Sequence, residues 1–446
     1  LATAGPTREE VEPATGDPVA GESPRGRIYL VYVGLMAAGA SLGLIRGLIY
    51  AKVLEPQEFG YYGLVVIVLQ FGLFVASWGI LSALNNHLPI ALGKGHNDPE
   101  LLDRSMGALV ITSCITVGVY LLIVSLVNFS DPEVQIALAL ASGAVIASTL
   151  TEFHILVMRV HQGLIKMAMT YVLRASLTIG AGVAAGILFG YRGVVLAELG
   201  ALVVTLYVAR HLWLDPIGIK RPSWPATRRL IRAGLPLTVA NLIVVLSFVA
   251  DRLFVAAALP DQFGQYAFAA LVVVAWIAIV AMLEQAVAPR LLREYGSGMS
   301  LREVRRQAVR VALSLAAAGA AGLALLIALI GPLEDGFLSS YADGLRVAPI
   351  LYVGGLLLVM SFPGFVLHAI RPSFSALASA LAASVSVGGA ALLVLLADPS
   401  LNEFAWVFVA GQAAALSALM IGLQIEVAHD TQAPHVLSET ESPLPG

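Results

Sequence analysis

Arg46, Arg174 and Arg252 each fall inside a run of apolar residues long enough to cross a bilayer. A guanidinium at that depth is costly and is kept where it faces a cavity or a counter-charge. Its planar fork suits phosphate oxygens, which it holds in bidentate geometry. The three arginines are therefore candidate substrate-binding residues lining one cavity. The structural alternative is that each locks packing by pairing with a carboxylate or a helix carbonyl. Asp251, Glu152 and Glu284 also lie inside apolar runs and are candidates for H⁺ or Na⁺ coupling. Pairing with Arg159 or Arg290 would account equally for the two glutamates. Asp251 and Arg252 are sequence neighbours and point about 100° apart on a helix, so they are not expected to pair tightly with each other. Glu198 reads as interfacial, near the outer end of its run, and His154 and His368 read as polar contacts near helix ends.

These residues need a scaffold that keeps them in lipid. Of the 446 residues, 58% are hydrophobic and 12% charged, with a mean hydropathy of +0.85. A soluble domain carries roughly 25% charged residues, so lipid must be the solvent for most of this surface. Helices crossing a membrane need about 20 apolar residues. Apolar runs suggest twelve, near 28–54, 60–92, 105–129, 134–158, 167–190, 193–213, 232–259, 264–290, 307–331, 347–370, 374–397 and 403–427. The second is long enough to extend beyond the membrane. Ser130–Glu133, Ser300–Glu303 and Ser400–Glu403 fit the S-x-x-E capping box just before apolar runs.

Alternate loops differ in charge. Arg210, Lys220, Arg221, Arg228, Arg229 and Arg232 share one loop, and Arg290, Arg293, Arg302, Arg305, Arg306 and Arg310 another. The loops of opposite sidedness hold only Lys52, Arg192 and Arg346. By the positive-inside rule both termini are cytoplasmic, in the cytoplasmic (inner) membrane. The basic loops also suit anionic lipid at that surface. Residues 1–27 and 428–446 are polar and proline-rich and read as disordered tails. Outer loops are short, the longest near Pro332 to Leu345, too small for a catalytic domain. No phosphate-binding Gly-Lys loop, zinc-ligand spacing or nucleophile elbow appears. The chain therefore reads as a non-enzyme without a cofactor or a nucleic-acid partner.

The chain also repeats itself. Pro56-Gln-Glu-Phe-Gly-Tyr-Tyr62 and Pro260-Asp-Gln-Phe-Gly-Gln-Tyr266 both read P-x-x-F-G-x-Y, each after a span carrying an arginine. Six spans is an even number, so both copies share one orientation, an arrangement known in transporters. The expected division is an N-terminal six-helix lobe over 28–214, a basic linker over 215–231 and a C-terminal six-helix lobe over 232–427. Gly39, Gly43 and Gly47, and Gly182, Gly186 and Gly190, form small-residue stripes suited to close helix packing. Pro236, Pro289, Pro349 and Pro363 are candidate kinks.

Gly234-Leu-Pro236, Ala250-Asp-Arg252 and Phe263-Gly-Gln-Tyr-Ala-Phe-Ala269, with Leu54-Glu-Pro-Gln-Glu-Phe-Gly60 after Arg46, carry a resemblance. The chain is similar to the polysaccharide-transporter branch of the multidrug/oligosaccharidyl-lipid/polysaccharide (MOP) superfamily, over nearly all of 28–427. The resemblance implies an all-α membrane protein with two lobes around a central cavity. It implies a flippase moving an undecaprenyl-diphosphate-type oligosaccharide for cell-surface polysaccharide biosynthesis, by alternating access. Arg46, Arg174 and Arg252 would then hold the diphosphate, and a glycosyltransferase and a polymerase of the same pathway would be partners. A drug or cation exporter of the same superfamily, and a membrane polysaccharide polymerase or ligase, are the alternatives.

Overall fold

The computed structural model describes residues 24–93, 99–127, 129, 131–161, 163–213, 217–296, 299–336, 338–370, 372–396 and 398–430. Among them the regular elements are all helical: α1 (Pro24–Val53), α2 (Pro56–Ser77), α3 (Ile80–Gly93), α4 (Pro99–Leu126), α5 (Pro132–Val160), α6 (Leu164–Val208), α7 (Trp224–Ala258), α8 (Phe263–Ala269), α9 (Leu271–Gly296), α10 (Leu301–Glu334), α11 (Ala342–Met360), α12 (Gly364–Ile370), α13 (Pro372–Leu396) and α14 (Leu401–Asp430). Ten helical segments are long and apolar enough to cross a membrane, and α8 with α9, bent by 41°, makes an eleventh.

One segment counts twice. Leu164–Trp213 is 50 residues long, or about 75 Å at 1.5 Å per residue, far more than a bilayer core of about 30 Å. The chain reverses at Gly190, with φ 60° and ψ −149°, a region essentially closed to residues with a Cβ. A Cβ there would fall on the Glu58 carboxylate. Beyond the turn, Gly193 lies against Ala185 and Phe189, and Gly186 against Val194, contacts a straight helix could not make. With the two arms of this segment counted separately, the described residues hold twelve segments of membrane-crossing length. Helix α1 starts and helix α14 finishes at one end, called here the near end; the opposite one is the far end.

The second expected span is two helices. Trp78 takes a left-handed conformation (φ 47°) and Gly79 follows at φ 88°, so α2 stops and α3 leaves at a new angle. The Trp78 indole N–H donates to the Thr116 hydroxyl at 2.9 Å and pins the bend. Proline does not set every bend. Pro236 and Pro349 sit inside helices, whereas Trp78 and Ala270 mark breaks. Pro363 lies between α11 and α12, and the side chain of Pro289 lies outside the described residues. Pro332 is inside α10, which leaves a shorter far-end connection before α11 than expected.

Caps follow the sequence with one correction. Ser300 accepts from the Glu303 N–H at 3.3 Å, and the Ser400 N–H and hydroxyl both donate to Glu403. Before α5 the capping side chain is Asp131, which accepts from the Glu133 N–H at 2.9 Å; Ser130 lies outside the described residues. A carboxylate one residue closer to the helix is an equally good cap.

The two copies pack alike. In the first, α1 lies on α6, α2 on α5 and α4 on α5; in the second, α7 lies on α13, α9 on α11 and α10 on α11. The copies meet through α2 with α8, α3 with α7 and α1 with α9, giving two six-helix repeats. The largest core cluster straddles the far end and includes Leu54, Phe59, Phe263, Phe268 and Tyr341. Phe59 packs edge-on to Tyr341 at 5.8 Å and to Phe268 at 6.4 Å. The Tyr341 hydroxyl donates to the Leu54 carbonyl at 3.2 Å. The far end is thus sealed between the repeats. The glycines of the repeated motif make the seal possible: Gly60 faces the Gly264 backbone, and a Cβ on Gly264 would overlap the Pro56 carbonyl.

Candidate functional site

Below the seal, toward the near end, a cavity of ≈ 340 Å³ opens between the repeats. Its apolar lining includes Leu73, Phe74, Leu81, Ile155, Leu156 and Leu237; its polar lining is Ser77, Ser82, Asn85, Glu152, Arg159, Tyr171 and Asn241. The α2–α3 bend supplies one wall, α5 and α6 another, and α7 of the second repeat contributes Leu237 and Asn241. Ser82 and Thr238 share a hydrogen bond of 3.0 Å across the repeats beside it.

Glu152 and Arg159 are seven residues apart on α5, two turns and about 10 Å, so both face the same wall. Arg159 donates to the side-chain oxygen of Asn85, another residue of the lining. Arg174 and Arg159 both act on Glu152 electrostatically. Arg174 sits three residues beyond the lining Tyr171, on the same helix face. No hydrogen bond or ion pair closes on Glu152 among the described residues.

None of Arg46, Arg174 and Arg252 is among the lining residues. Arg174 stands near the cavity, but Arg46 and Arg252 lie toward the far end, under the seal, and among the described residues only Arg46 is paired with a carboxylate. Arg46 pairs with Glu198 at 3.0 Å, and its guanidinium lies 6.0 Å from the Tyr50 ring centre. Glu198 also accepts from the Tyr62 hydroxyl at 2.7 Å and is only 5% exposed, so it is an interior counter-charge and not the interfacial residue its sequence position suggests. The turn at Gly190 folds the second arm of α6 back against α1 and α2, and this carries Glu198 inward.

Arg252 is buried in the second repeat, and its Nε has no hydrogen-bond partner. Asp251 beside it accepts from the Tyr266 hydroxyl at 2.7 Å through Oδ2, while Oδ1 is buried and unpartnered. The two neighbours form no ion pair with each other, as expected from their divergence on one helix. Tyr62 and Tyr266 are the final residues of the two P-x-x-F-G-x-Y motifs, and each reaches a buried carboxylate. The symmetry is inexact: Glu198 comes from α6, whereas Asp251 lies on the same helix as its arginine. His154 is fully buried, with Nδ1 2.8 Å from the Leu150 carbonyl oxygen. The side chains of Glu284 and His368 lie outside the described residues.

Sequence reasoning missed Arg159 as a cavity residue, because it stands near a helix end where arginines usually mark topology. Its spacing of seven from Glu152 was the available signal. Asn85, Tyr171 and Asn241 carried none.

The polysaccharide biosynthesis protein family matches residues 25–294, which is more than half of the chain. The chain belongs to that family. No curated protein matches it. Among solved structures, an inward-facing multidrug resistance MATE family transporter of the MOP superfamily is 15% identical, with a TM-score of 0.70, covering 91% of this chain and 100% of that one. An outward-facing conformation of a multidrug resistance MATE family transporter is also 15% identical, with a TM-score of 0.55, covering 91% and 96%. A MOP superfamily transporter from Pyrococcus furiosus, described by a binding pocket of reverse polarity that suggests a different function, is 15% identical, with a TM-score of 0.57, covering 91% and 96%. These likenesses give the fold. A polysaccharide biosynthesis family member with multiple helices long and apolar enough to cross a membrane thus shares the fold of these transporters.

Proposed function

We propose that the protein moves a lipid-linked oligosaccharide with an anionic diphosphate headgroup across the cytoplasmic membrane, by alternating access between its two repeats. The observation that carries this reading is the cavity itself. It lies between the repeats, is sealed toward the far end, and holds Arg159 in its wall with Arg174 close by. Both guanidiniums are assigned to the headgroup phosphates, with the prenyl tail remaining in lipid. Arg46 is assigned to a charge-neutralised anchor in this state, since it pairs with Glu198, whereas Arg252 closes no ion pair among the described residues and is left as a candidate headgroup contact in another state of the cycle. The near end is assigned to the cytoplasm on the arginine distribution of the loops. Ion coupling by H⁺ or Na⁺ is assigned to Asp251, whose Oδ1 is buried without a partner. A glycosyltransferase would make the substrate and a polymerase consume it.

The second reading is an exporter of organic cations, and the observation favouring it is Glu152 in the cavity wall. One experiment separates the two. In proteoliposomes holding a fluorescent prenyl-diphosphate sugar, Arg159→Ala combined with Arg174→Ala should slow translocation at least tenfold at matched protein levels. The estimate assumes that each lost charge-assisted contact costs about 1.5–3 kcal/mol. An unchanged rate, or transport of an organic cation lost on Glu152→Gln, would replace the first reading with the second.

A further inference from the structure

A carboxylate does not belong in a site whose only task is to hold a diphosphate, because it repels the ligand the arginines attract. Glu152 is nevertheless in the cavity wall, two turns from Arg159 on α5. It lies within the field of both Arg159 and Arg174, yet no side chain closes on it. Arg159 is tied instead to Asn85. The carboxylate is therefore held ready for something that enters the cavity. At ≈ 340 Å³ the space is at the lower end of the range for ligand sites, roughly 300–1,000 Å³. It suits a diphosphate and the first sugar ring, with further sugars extending out through the near end. Phe74 and Tyr171 supply aromatic surface, and Asn85, Asn241, Ser77 and Ser82 supply hydrogen-bonding partners for such a ring.

Resting on the function proposed above, we propose that Glu152 is a specificity residue that accepts hydrogen bonds from the sugar joined to the diphosphate and rejects the carrier diphosphate that bears no sugar. The chemistry gives the discrimination two parts. A sugar esterified to the terminal phosphate removes one ionisable oxygen, so the bare diphosphate carries more negative charge toward Glu152. The sugar also brings hydroxyl or amide donors, and a charged acceptor makes the stronger class of hydrogen bond with them. A site built around a donor disfavours the ligand that lacks it, because its own buried acceptor is then left unpaired. The repulsive element and the attractive one are the same side chain. In this way an exporter avoids moving empty carrier.

The test uses the full chain in lipid nanodiscs and two probes, a short-chain prenyl diphosphate and the same compound bearing one N-acetylhexosamine. The wild type should bind the glycosylated probe at least tenfold more tightly. Glu152→Ala should weaken the glycosylated probe about tenfold while leaving the bare diphosphate unchanged or tighter, so that the preference collapses. Glu152→Gln keeps an acceptor but loses the charge, and should tighten the bare probe while retaining part of the sugar contact. Arg159→Ala should weaken both probes together. Equal wild-type affinity for the two probes, or Glu152 variants that shift both by one factor or neither, would overturn the assignment and leave the proposed function standing. A wild type that binds neither probe would overturn both.

Discussion

Replacing Glu198 with alanine is expected to be among the most damaging single changes in the chain. The Arg46 side chain is 25% exposed and the Glu198 side chain 6%, so the pair is largely removed from water, inside a segment that crosses the membrane. Removing one partner of a buried pair leaves an uncompensated charge and typically costs about 3–5 kcal/mol. The Tyr62 hydroxyl loses its acceptor at the same time. Glu198→Ala should therefore unfold in detergent at a markedly lower temperature than the wild type and give less inserted protein. Adding Arg46→Met should recover most of the loss, because the charge that needed Glu198 is then gone. A Glu198→Ala protein that melts like the wild type would mean that water in the cleft already solvates Arg46, and would return that arginine to the list of substrate contacts.

Gly264→Ala should act on the far-end seal. The two repeats touch there through backbone, and an alanine Cβ would have to occupy the position of the Pro56 carbonyl. A backbone carbonyl at a helix start cannot swing away as a flexible side chain would, so α2 and α8 must separate. The aromatic contacts of Phe59 with Phe268 and Tyr341 then loosen, and the far-end-closed state loses its packing. The expected result is a protein that still inserts but translocates at least tenfold more slowly, because one end no longer closes in the cycle. Gly60→Ala should be milder, since its Cβ would meet the Gly264 nitrogen at 3.2 Å and the edge of the Phe263 ring at 3.2 Å, contacts that a small shift relieves. Equal transport by Gly264→Ala and the wild type would remove the seal from the account.

The helical architecture was legible because lipid imposes it. With backbone groups satisfied only within helices, apolar length and polar breaks were enough to place twelve crossings. The motif P-x-x-F-G-x-Y exposed the duplication, and its glycines and tyrosines proved to be the parts that touch across the repeats and reach the buried carboxylates. The bends were less legible. Trp78 in a left-handed conformation carries no sequence signal of its own, whereas the reversal at Gly190 falls where one apolar run was expected to end and the next to begin. Glu198 was read as interfacial because depth along a span does not say which way a side chain faces. The arginines show the same limit. Arg46 stood out because it is expensive, but expense does not separate a charge kept for a ligand from one neutralised by Glu198. Arg159 was read only as a partner for Glu152, because a helix end near the near-side loops is where an arginine needs no further explanation.

In the proposed function the cavity between the repeats is the substrate chamber. Cys114 is exposed on α4 and can be replaced by serine, leaving a single introduced thiol at Asn241→Cys, in the α7 wall of the cavity. A membrane-impermeant maleimide applied from the near end should label that thiol, and a lipid-linked oligosaccharide should slow the labelling at least tenfold while the bare prenyl tail does not. Labelling at the same rate with and without the oligosaccharide would contradict the account.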